Sequence, residues 1–440
     1  MSIAQRTPNS AQAASALSHS GRLCDFLDQH RREVREALQS GGETLNKLRD
    51  SLLVRIADER NLKIAWDHLA RYGGQAAGPN GHRFVDYSSH EVWSLMRCIG
   101  VAILNDTYRS GPVRRCRIGK ISGHGYRTLS IQNIEDRAVG RAVTQIVQPV
   151  LDPTFEPTSS GYRPGVSRIN ALADAIRLTA EGHTIWIDDD CQDAFDRVPN
   201  NRLKDIVRRK LPDNVSGLIG RTITSGGRRG IPQGSPLSPL LLNVYLDHLV
   251  DKPWRTRHPD IPLLRHADDL LLCCRDHATA RAAYADLNRM LTSAGMRLKG
   301  VASSVICDLS YGNTTTWLGY QVSSVESGLQ IKIADRSWQL LTQHLKQAHY
   351  KPCSSLVASA VVTGWLDQLG PCFEFENRQL VCHRIAAIAS QYSFEEIPSP
   401  WCLLRIWQRS FDRWQDRSHD FDSMSSSITS PDSVVGGIPF

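Results

Sequence analysis

Residues 261–274 read IPLLRHADDLLLCC, with two apolar runs on either side of a pair of aspartates. Apolar runs of this length predict buried strands, and the polar centre predicts a tight turn that joins them. Another run, HTIWIDDD (183–190), also ends in acids and predicts a buried strand that meets a site at its end. We therefore expect strands that bring carboxylates together at one edge of a sheet.

The carboxylates concerned belong to the run Asp188-Asp189-Asp190 and to the pair Asp268-Asp269. Like charges a few ångströms apart raise each other's pKa unless a cation lies between them. Hard, oxygen-rich sites of this kind suit Mg²⁺. Carboxylate clusters from separate strands can hold two ions roughly 3.5–4 Å apart, which is the geometry of in-line phosphoryl transfer. The pattern predicts a two-metal site.

A third segment, GIPQGSPLSP (230–239), lies between the two acidic segments in the chain. Taken singly, each segment has an ordinary structural explanation, since Asp pairs cap turns, acidic strand ends are solvated, and Gly, Pro and Ser form loops. The presence of all three in this order favours a functional site.

The three segments contain D-x-x-D-A-F (190–195), I-P-Q-G-S-P-L-S-P-x-L-x-N (231–243) and A-D-D (267–269). This order resembles the palm of bacterial reverse transcriptases of the group II intron type. The resemblance covers roughly residues 58–370. Further similar blocks are NLKIAW (61–66), Arg127-x-Leu129, Asp136-Arg137, SGYRPG (160–165), WLGY (317–320) and Gly364-Trp365.

The resemblance implies an α+β, right-hand polymerase fold, with fingers, a palm made of an antiparallel sheet plus helices, and a helical thumb. It implies an RNA-directed DNA polymerase that adds dNTPs to a primer 3′-end opposite an RNA template, yields DNA and releases pyrophosphate. The expected cofactor is two Mg²⁺ ions, for which Mn²⁺ is expected to substitute.

The resemblance also implies roles for single residues. The catalytic metal ligands would be Asp190, Asp268 and Asp269. Phe195 would be the steric gate that excludes a ribose 2′-hydroxyl. The residues expected to bind the incoming dNTP are Lys120, Arg127, Asp193, Ala194, Phe195 and Gln233. The residues expected to contact nucleic acid are Arg114, Arg115, Arg117, His266, Arg405, Arg409 and Arg413.

Residues 401–417, WCLLRIWQRSFDRWQDR, predict an amphipathic helix. An apolar face carries Leu404, Trp407, Phe411 and Trp414, and the three arginines named above recur every four residues on another face. A tryptophan-rich core face explains the aromatic residues. For the arginines, a solvated helix face and contact with a nucleic-acid backbone remain open alternatives.

The chain departs from the family pattern at three places. His266 stands where these enzymes usually have Tyr before Ala-Asp-Asp. The usual Lys-Thr pair is replaced by Ala302-Ser303, with Lys299 as the nearby lysine. Relatives often continue into DNA-binding and endonuclease domains, and the residues after 417 predict neither.

The sequence has 440 residues with a net charge of +7, enough for two or three domains and compatible with a polyanionic partner. We expect an N-terminal helical extension (1–90), fingers (91–185), palm (186–335), thumb (336–417) and a disordered tail (418–440). None of the 11 cysteines forms a C-x-x-C pair, and no apolar run reaches the roughly eighteen residues of a membrane span. A reduced, cytoplasmic protein without a membrane partner is expected.

Three biological roles remain open. The first is a stand-alone reverse transcriptase of bacterial antiviral defence, of the kind that works with a dedicated non-coding RNA or a partner protein. The second is a group II intron maturase, an RNA-binding splicing cofactor. The third, a catalytically inactive scaffold, is disfavoured by the intact aspartate set.

Overall fold

A computed structural model describes residues 10–119, 125–223, 227–326, 328–351 and 353–425. Its helices are α1 (Ser10–Ser40), α2 (Gly42–Ala57), α3 (Glu59–Tyr72), α4 (Ser89–Leu104), α5 (Ile134–Leu151), α6 (Arg168–Ala180), α7 (Ala194–Arg197), α8 (Asn200–Lys210), α9 (Asp213–Ile223), α10 (Ser238–Leu246), α11 (Lys252–Arg257), α12 (His277–Ser293), α13 (Ala302–Val305), α14 (Asp335–Ala348), α15 (Ser354–Leu366), α16 (Arg378–Ser390) and α17 (Pro400–Ser425). None of the helices in these ranges is long and apolar enough to cross a membrane.

The strands form three antiparallel sheets. They are β1 (Arg114–Gly119), β2 (Tyr126–Ile131), β3 (Ile185–Asp190), β4 (Leu263–His266), β5 (Asp269–Cys274), β6 (Ile306–Asp308), β7 (Thr314–Trp317), β8 (Tyr320–Val325) and β9 (Gly328–Ile333). The β1–β2 hairpin stands alone, the order β4-β5-β3-β6 forms a central sheet, and β7-β8-β9 forms a third. Helices and antiparallel sheets in this mixture confirm the expected α+β class.

The central sheet lies between two hydrophobic cores. Ile185 and Ile187 belong to the core formed with the N-terminal helices and with α8 to α12. Trp186 belongs to the core formed with β7 to β9 and the helices α14 to α17. Successive side chains of a strand point to opposite faces of the sheet. Because both faces of β3 are buried, Ile185, Trp186 and Ile187 are all apolar.

The hairpin predicted for residues 261–274 is confirmed. Strands β4 and β5 pair antiparallel, with His266 opposite Asp269. The two residues between them, Ala267 and Asp268, form the turn, and Ala267 has a left-handed φ of 64°. The acidic pair therefore lies at the tip of the hairpin and at the start of its second strand.

Residues 314–322 span parts of two strands. The chain reverses there, so that β7 and β8 form a hairpin with Trp317 opposite Tyr320. Leu318 and Gly319 make the turn with φ values of 50° and 85°. Leucine seldom adopts positive φ, so the sequence carries only a weak turn signal.

The disordered tail expected for residues 418–440 stays a prediction, and α17 extends to Ser425. Residues 417–425 contain neither glycine nor proline, so no residue there breaks the helix. Residues 426–440 lie outside the described ranges, and the prediction is not tested there.

Candidate active site

Two neighbouring strands bring the predicted catalytic carboxylates together. Asp190, the last residue of β3, lies directly opposite Asp269, the first residue of β5. The two side chains share a hydrogen bond. Asp268 lies in the hairpin turn, directly before Asp269. Its carbonyl oxygen accepts a 2.9 Å hydrogen bond from the backbone N–H of Cys191. The sheet edge thus gathers all three aspartates.

A buried polar network holds the hairpin turn in its left-handed conformation. Arg265 is 1% exposed and donates to the carbonyl of Ala267 at 3.0 Å and to the Asn243 amide oxygen at 2.8 Å. Its charge is balanced by Asp251, whose Oδ1 and Oδ2 lie 3.0 Å from Nε. At Gly161 a Cβ would lie 2.1 Å from the Ala267 nitrogen, so only glycine fits beside this turn.

The carboxylates are electrostatically crowded. Burial raises the pKa of Asp269, and its hydrogen bond with Asp190 and that group's charge raise it further. Burial and the charge of Asp190 likewise raise the pKa of Asp268. Burial opposes ionisation of Asp190 too, but hydrogen bonds from Asp269 and Lys299 outweigh it and lower the pKa of Asp190. The cluster favours bound positive charge.

Lys299 supplies some of that charge. Its Nζ lies 2.8 Å from Asp190 Oδ2, in an ion pair whose lysine side chain is 64% exposed. The charges of Arg127 and Arg336 also lower the pKa values of aspartates here, Arg127 acting on Asp268 and Arg336 on Asp190. Sequence reasoning named Lys299 only as the nearest lysine and did not identify Arg336.

The donor chemistry suits a divalent cation, because three carboxylates offer hard oxygen ligands and a cation would offset the raised pKa values of Asp268 and Asp269. In this structure, however, Asp190 is engaged by Lys299 and by Asp269. Within the described ranges, no three His, Cys, Asp or Glu side chains form a ready metal-binding group. The carboxylates would have to exchange these partners to bind a metal.

Four residues predicted to bind the incoming dNTP lie in two segments: Asp193, Ala194 and Phe195 follow β3 in the chain, and Gln233 lies in the loop before α10. Asp193 has a left-handed φ of 50° and precedes the short helix α7, which carries Ala194 and Phe195. The Phe195 ring lies 6.2 Å from the ring of Tyr162, edge to face. The Gln233 carbonyl accepts a 2.8 Å bond from the backbone N–H of Ser130 in β2, which ties this loop to the β1–β2 hairpin.

Tyr162 is a site residue that the sequence analysis quoted only as part of a family block. Burial raises its pKa to about 12, and the charges of Asp268 and Asp269 contribute, while Arg127 opposes them. The phenol therefore stays neutral among the carboxylates. Its left-handed φ of 60° is a feature that the sequence did not indicate.

The basic residues predicted to lie in the β1–β2 hairpin differ in their exposure and contacts. Lys120 lies outside the described residues. Arg127, in β2, is exposed and pairs in register with Ile118. Arg114, Arg115 and Arg117 are exposed on β1, and Arg114 donates to the Ala77 carbonyl at 2.8 Å. Exposure leaves Arg127 and Arg117 accessible to phosphates.

His266 is the last residue of β4 and lies opposite Asp269 in the hairpin. Its Nδ1 is 3.0 Å from Ser160 Oγ. Burial, with the charges of Arg168 and Arg265, lowers its pKa to about 4. The ring is therefore neutral at physiological pH.

Helix α17 has the predicted division of faces. Trp407 and Phe411 are buried, whereas Arg405, Arg409 and Arg413 are exposed. Arg413 forms an ion pair with Asp367, and the Arg405 guanidinium lies 4.7 Å from the centre of the Trp401 ring. Two of the three arginines therefore have contacts within the protein.

Part of the chain is similar to a known protein family. Residues 118–322 match the family described as "Reverse transcriptase (RNA-dependent DNA polymerase)". That segment contains Asp190, the loop with Gln233, and the Asp268–Asp269 hairpin. The match covers just under half of the chain, and over that segment the chain is similar to a reverse transcriptase domain, in agreement with the resemblance that its motifs carry.

The curated relatives are similar over part of their length. The chain is 32% identical over 161 residues to the group II intron-encoded protein LtrA of Lactococcus lactis subsp. cremoris, covering 34% of this chain and 26% of LtrA. It is 25% identical over 230 residues to the COX1/OXI3 intron 2 protein of Saccharomyces cerevisiae, covering 49% of this chain and 26% of that protein. A solved apo telomerase from Candida tropicalis gives a TM-score of 0.42 at 13% identity, covering 73% of this chain and 68% of that one.

Proposed function

We propose that this chain is an RNA-directed DNA polymerase, which extends a primer 3′-end with dNTPs opposite an RNA template and releases pyrophosphate. The observation that supports this most is the register of β3 and β5, which sets Asp190 opposite Asp269 beside Asp268. These carboxylates lie inside the segment that matches the reverse transcriptase family.

We propose that Asp190, Asp268 and Asp269 hold two Mg²⁺ ions, or Mn²⁺ in their place. Bound there, the metal would lower the pKa of the primer hydroxyl and stabilise the leaving pyrophosphate. Lys299, which now neutralises Asp190 across 2.8 Å, becomes available to triphosphate oxygens when its partner binds a cation. Arg127 adds a second, exposed positive charge on the fingers side.

Several side chains would select and orient the nucleotide. The Phe195 ring would exclude a 2′-hydroxyl by contact, and Tyr162 beside it would limit movement of that ring. Gln233, Asp193 and Ala194 would form the adjoining wall of the nucleotide site. Lys120 remains part of this proposal through the family resemblance alone.

We assign the fingers to residues 91–185, the palm to 186–335 and the thumb to 336–417, behind a helical extension over 1–90. On this assignment the exposed arginines of β1 and α17 face the nucleic acid. They are Arg114, Arg115, Arg117, Arg405, Arg409 and Arg413. A net charge of +7 supports a polyanionic partner.

We further propose a cytoplasmic role in bacterial antiviral defence, with a dedicated non-coding RNA or a partner protein. That role rests on the family resemblance. The alternative is a maturase that binds intron RNA, which the similarity to a group II intron-encoded protein favours. Sequencing the RNA that co-purifies with the protein distinguishes a single small RNA from intron RNA.

The enzymatic proposal is tested by primer extension with purified protein, a DNA primer on an RNA template, dNTPs and Mg²⁺. Asp190→Asn and Asp268→Asn keep the side-chain shape, remove the negative charge, and should abolish extension. Asp260→Asn is the matched control, since Asp260 is an exposed aspartate in the loop before β4. Undiminished extension in either site variant, with all variants folded by circular dichroism, would contradict the proposal.

A further inference from the structure

Asp189 is a buried carboxylate beside the active site to which the proposed reaction gives no role. It lies in β3 between Asp188 and Asp190 and is 7% exposed. Because side chains alternate along a strand, Asp189 points to the opposite face from Asp190. An ionised group in that position is costly unless it accepts hydrogen bonds.

Three donors from different parts of the chain meet this carboxylate. Its Oδ1 accepts from the backbone N–H of Asp190 at 2.8 Å and from that of Gly300 at 2.8 Å. Its Oδ2 accepts from the Tyr284 hydroxyl at 2.9 Å, which extends from α12. Asp189 therefore joins the end of β3 to the segment that carries Lys299.

That segment runs alongside the end of β3. The backbone N–H of Lys299 donates to the Asp190 carbonyl at 3.0 Å, and that of Gln192 donates to the Arg297 carbonyl at 2.9 Å. An isolated antiparallel bridge links Cys191 with Leu298. This pairing sets Lys299 beside Asp190, where the 2.8 Å ion pair forms.

Gly300 allows the close approach of the carboxylate. A Cβ at this position would lie 2.4 Å from Val305 Cγ1 and 3.1 Å from Asp189 Oδ1. The chain therefore has a residue without a side chain at the point where the buried acceptor meets the segment. The pairing of Asp189 with Gly300 fixes where Lys299 leaves the sheet edge.

We propose that Asp189 is a positioning residue, which holds the Lys299–Gly300 segment in register so that the Lys299 ammonium group lies against Asp190. The inference rests on the proposed polymerase function, because Lys299 acts there on the charge of the metal-binding carboxylates and on triphosphate oxygens. Asp189 itself faces away from the side of the strand to which Asp190 points. Its effect on the reaction passes through Lys299.

A double-mutant cycle tests this dependence. Asp189→Ala and Lys299→Met should each lower kcat for dNTP incorporation by about a hundredfold, the lower end of the loss when one electrostatically stabilising group is removed from an active site. The double variant should be no slower than Lys299→Met alone, since residues that act through one another are non-additive. Independent losses that multiply would overturn the inference.

Matched variants separate positioning from folding. Asp189→Asn retains an oxygen that accepts both backbone N–H groups, so it should restore most of the kcat lost in Asp189→Ala. Asp136→Ala is the control, because Asp136 is also buried and accepts from a tyrosine hydroxyl and a glycine N–H, those of Tyr108 and Gly111. Any reduction in kcat caused by Asp136→Ala should multiply with the reduction caused by Lys299→Met in the double variant.

An activity-independent measurement keeps this inference distinct from the polymerase proposal. Acetylation of Lys299 by an amine-reactive reagent, followed by peptide mass spectrometry on metal-free protein, reports how firmly Asp190 holds the ammonium. Asp189→Ala should raise the acetylation rate toward that of Asp190→Asn, and Asp136→Ala should not. An unchanged rate in Asp189→Ala would overturn the inference even if the enzyme extends primers, whereas an inactive wild type with the expected acetylation would overturn the polymerase proposal alone.

Discussion

Replacing His266 with tyrosine should change the pH dependence of stability while leaving the pH dependence of primer extension unchanged. Burial, together with the charges of Arg168 and Arg265, lowers the pKa of His266 from 6.5 to about 4. The folded protein therefore resists protonation of this ring, while the unfolded chain accepts the proton readily. Between these pKa values the unfolded state binds more protons, so stability falls as pH falls.

The size of the effect follows from the shift. A separation of about 2.5 pH units, at 1.36 kcal/mol for each unit, gives about 3 kcal/mol when the ring is fully titrated. Most of this stability, about 2.5 kcal/mol, should already be lost at about pH 4.5. Loss of the 3.0 Å contact with Ser160 costs the tyrosine variant about 1 kcal/mol at neutral pH.

Urea denaturation of metal-free protein from about pH 7.5 to about pH 4.5 measures this directly. The tyrosine variant should gain 2–3 kcal/mol relative to wild type, roughly, as pH falls through this window. His90→Tyr is the control, since His90 is an exposed histidine in α4. A constant difference between wild type and His266→Tyr, or one of opposite sign, would refute the reasoning about burial.

The same variant tests the role of the ring in synthesis. Because the wild-type ring is already neutral near pH 7, its rate profile should show no step that disappears in His266→Tyr. We expect the variant to retain most activity, since shape and stacking are preserved. A folded tyrosine variant that binds metal and cannot elongate a primer would instead assign His266 a specific hydrogen bond to substrate.

Phe195→Ala should raise rNTP incorporation relative to dNTP by at least roughly tenfold in single-nucleotide assays, the scale of steric discrimination in an enzyme pocket; an unchanged ratio would remove the gate. Replacing Arg405, Arg409 and Arg413 by Gln should reduce the log–log salt dependence of RNA binding by up to about one unit per lost phosphate contact. The total reduction in slope should be less than about three units, because Arg413 already pairs with Asp367. An unchanged slope would mean that the three arginines form a solvated helix face. Since burial raises the pKa of Asp269, metal-free protein should lose stability as pH rises through that pKa, so saturating Mg²⁺ should raise Tm more at about pH 8 than at about pH 6; equal gains would contradict metal binding at these carboxylates.

The carboxylate edge was predictable because its signals are local. Apolar runs that end in acids identify β3 and β5, and the two-residue turn follows from the hairpin pattern. Which residues lie opposite each other in the sheet depends on the strand register, and local sequence patterns do not determine that register. The opposition of Asp190 and Asp269 therefore emerged only from the fold.

Residues that act through tertiary contacts were missed for the same reason. Asp189 looked like one more acid in a run, and its role depends on Tyr284, which lies 95 positions away in the chain. Tyr162 and Leu318 adopt positive φ, where their side chains give no local indication of it. Surrounding structure imposes these conformations, so single-sequence patterns do not reveal them.

The most direct test of RNA-directed synthesis is single-nucleotide incorporation on RNA templates that differ only in the templating base. Wild-type protein with Mg²⁺ and one dNTP at a time should extend the primer only with the nucleotide complementary to that base. Asp268→Asn should extend none, and Asp260→Asn should behave as wild type. Extension that ignores the templating base, or no extension by folded wild-type protein with either Mg²⁺ or Mn²⁺, would contradict the central claim.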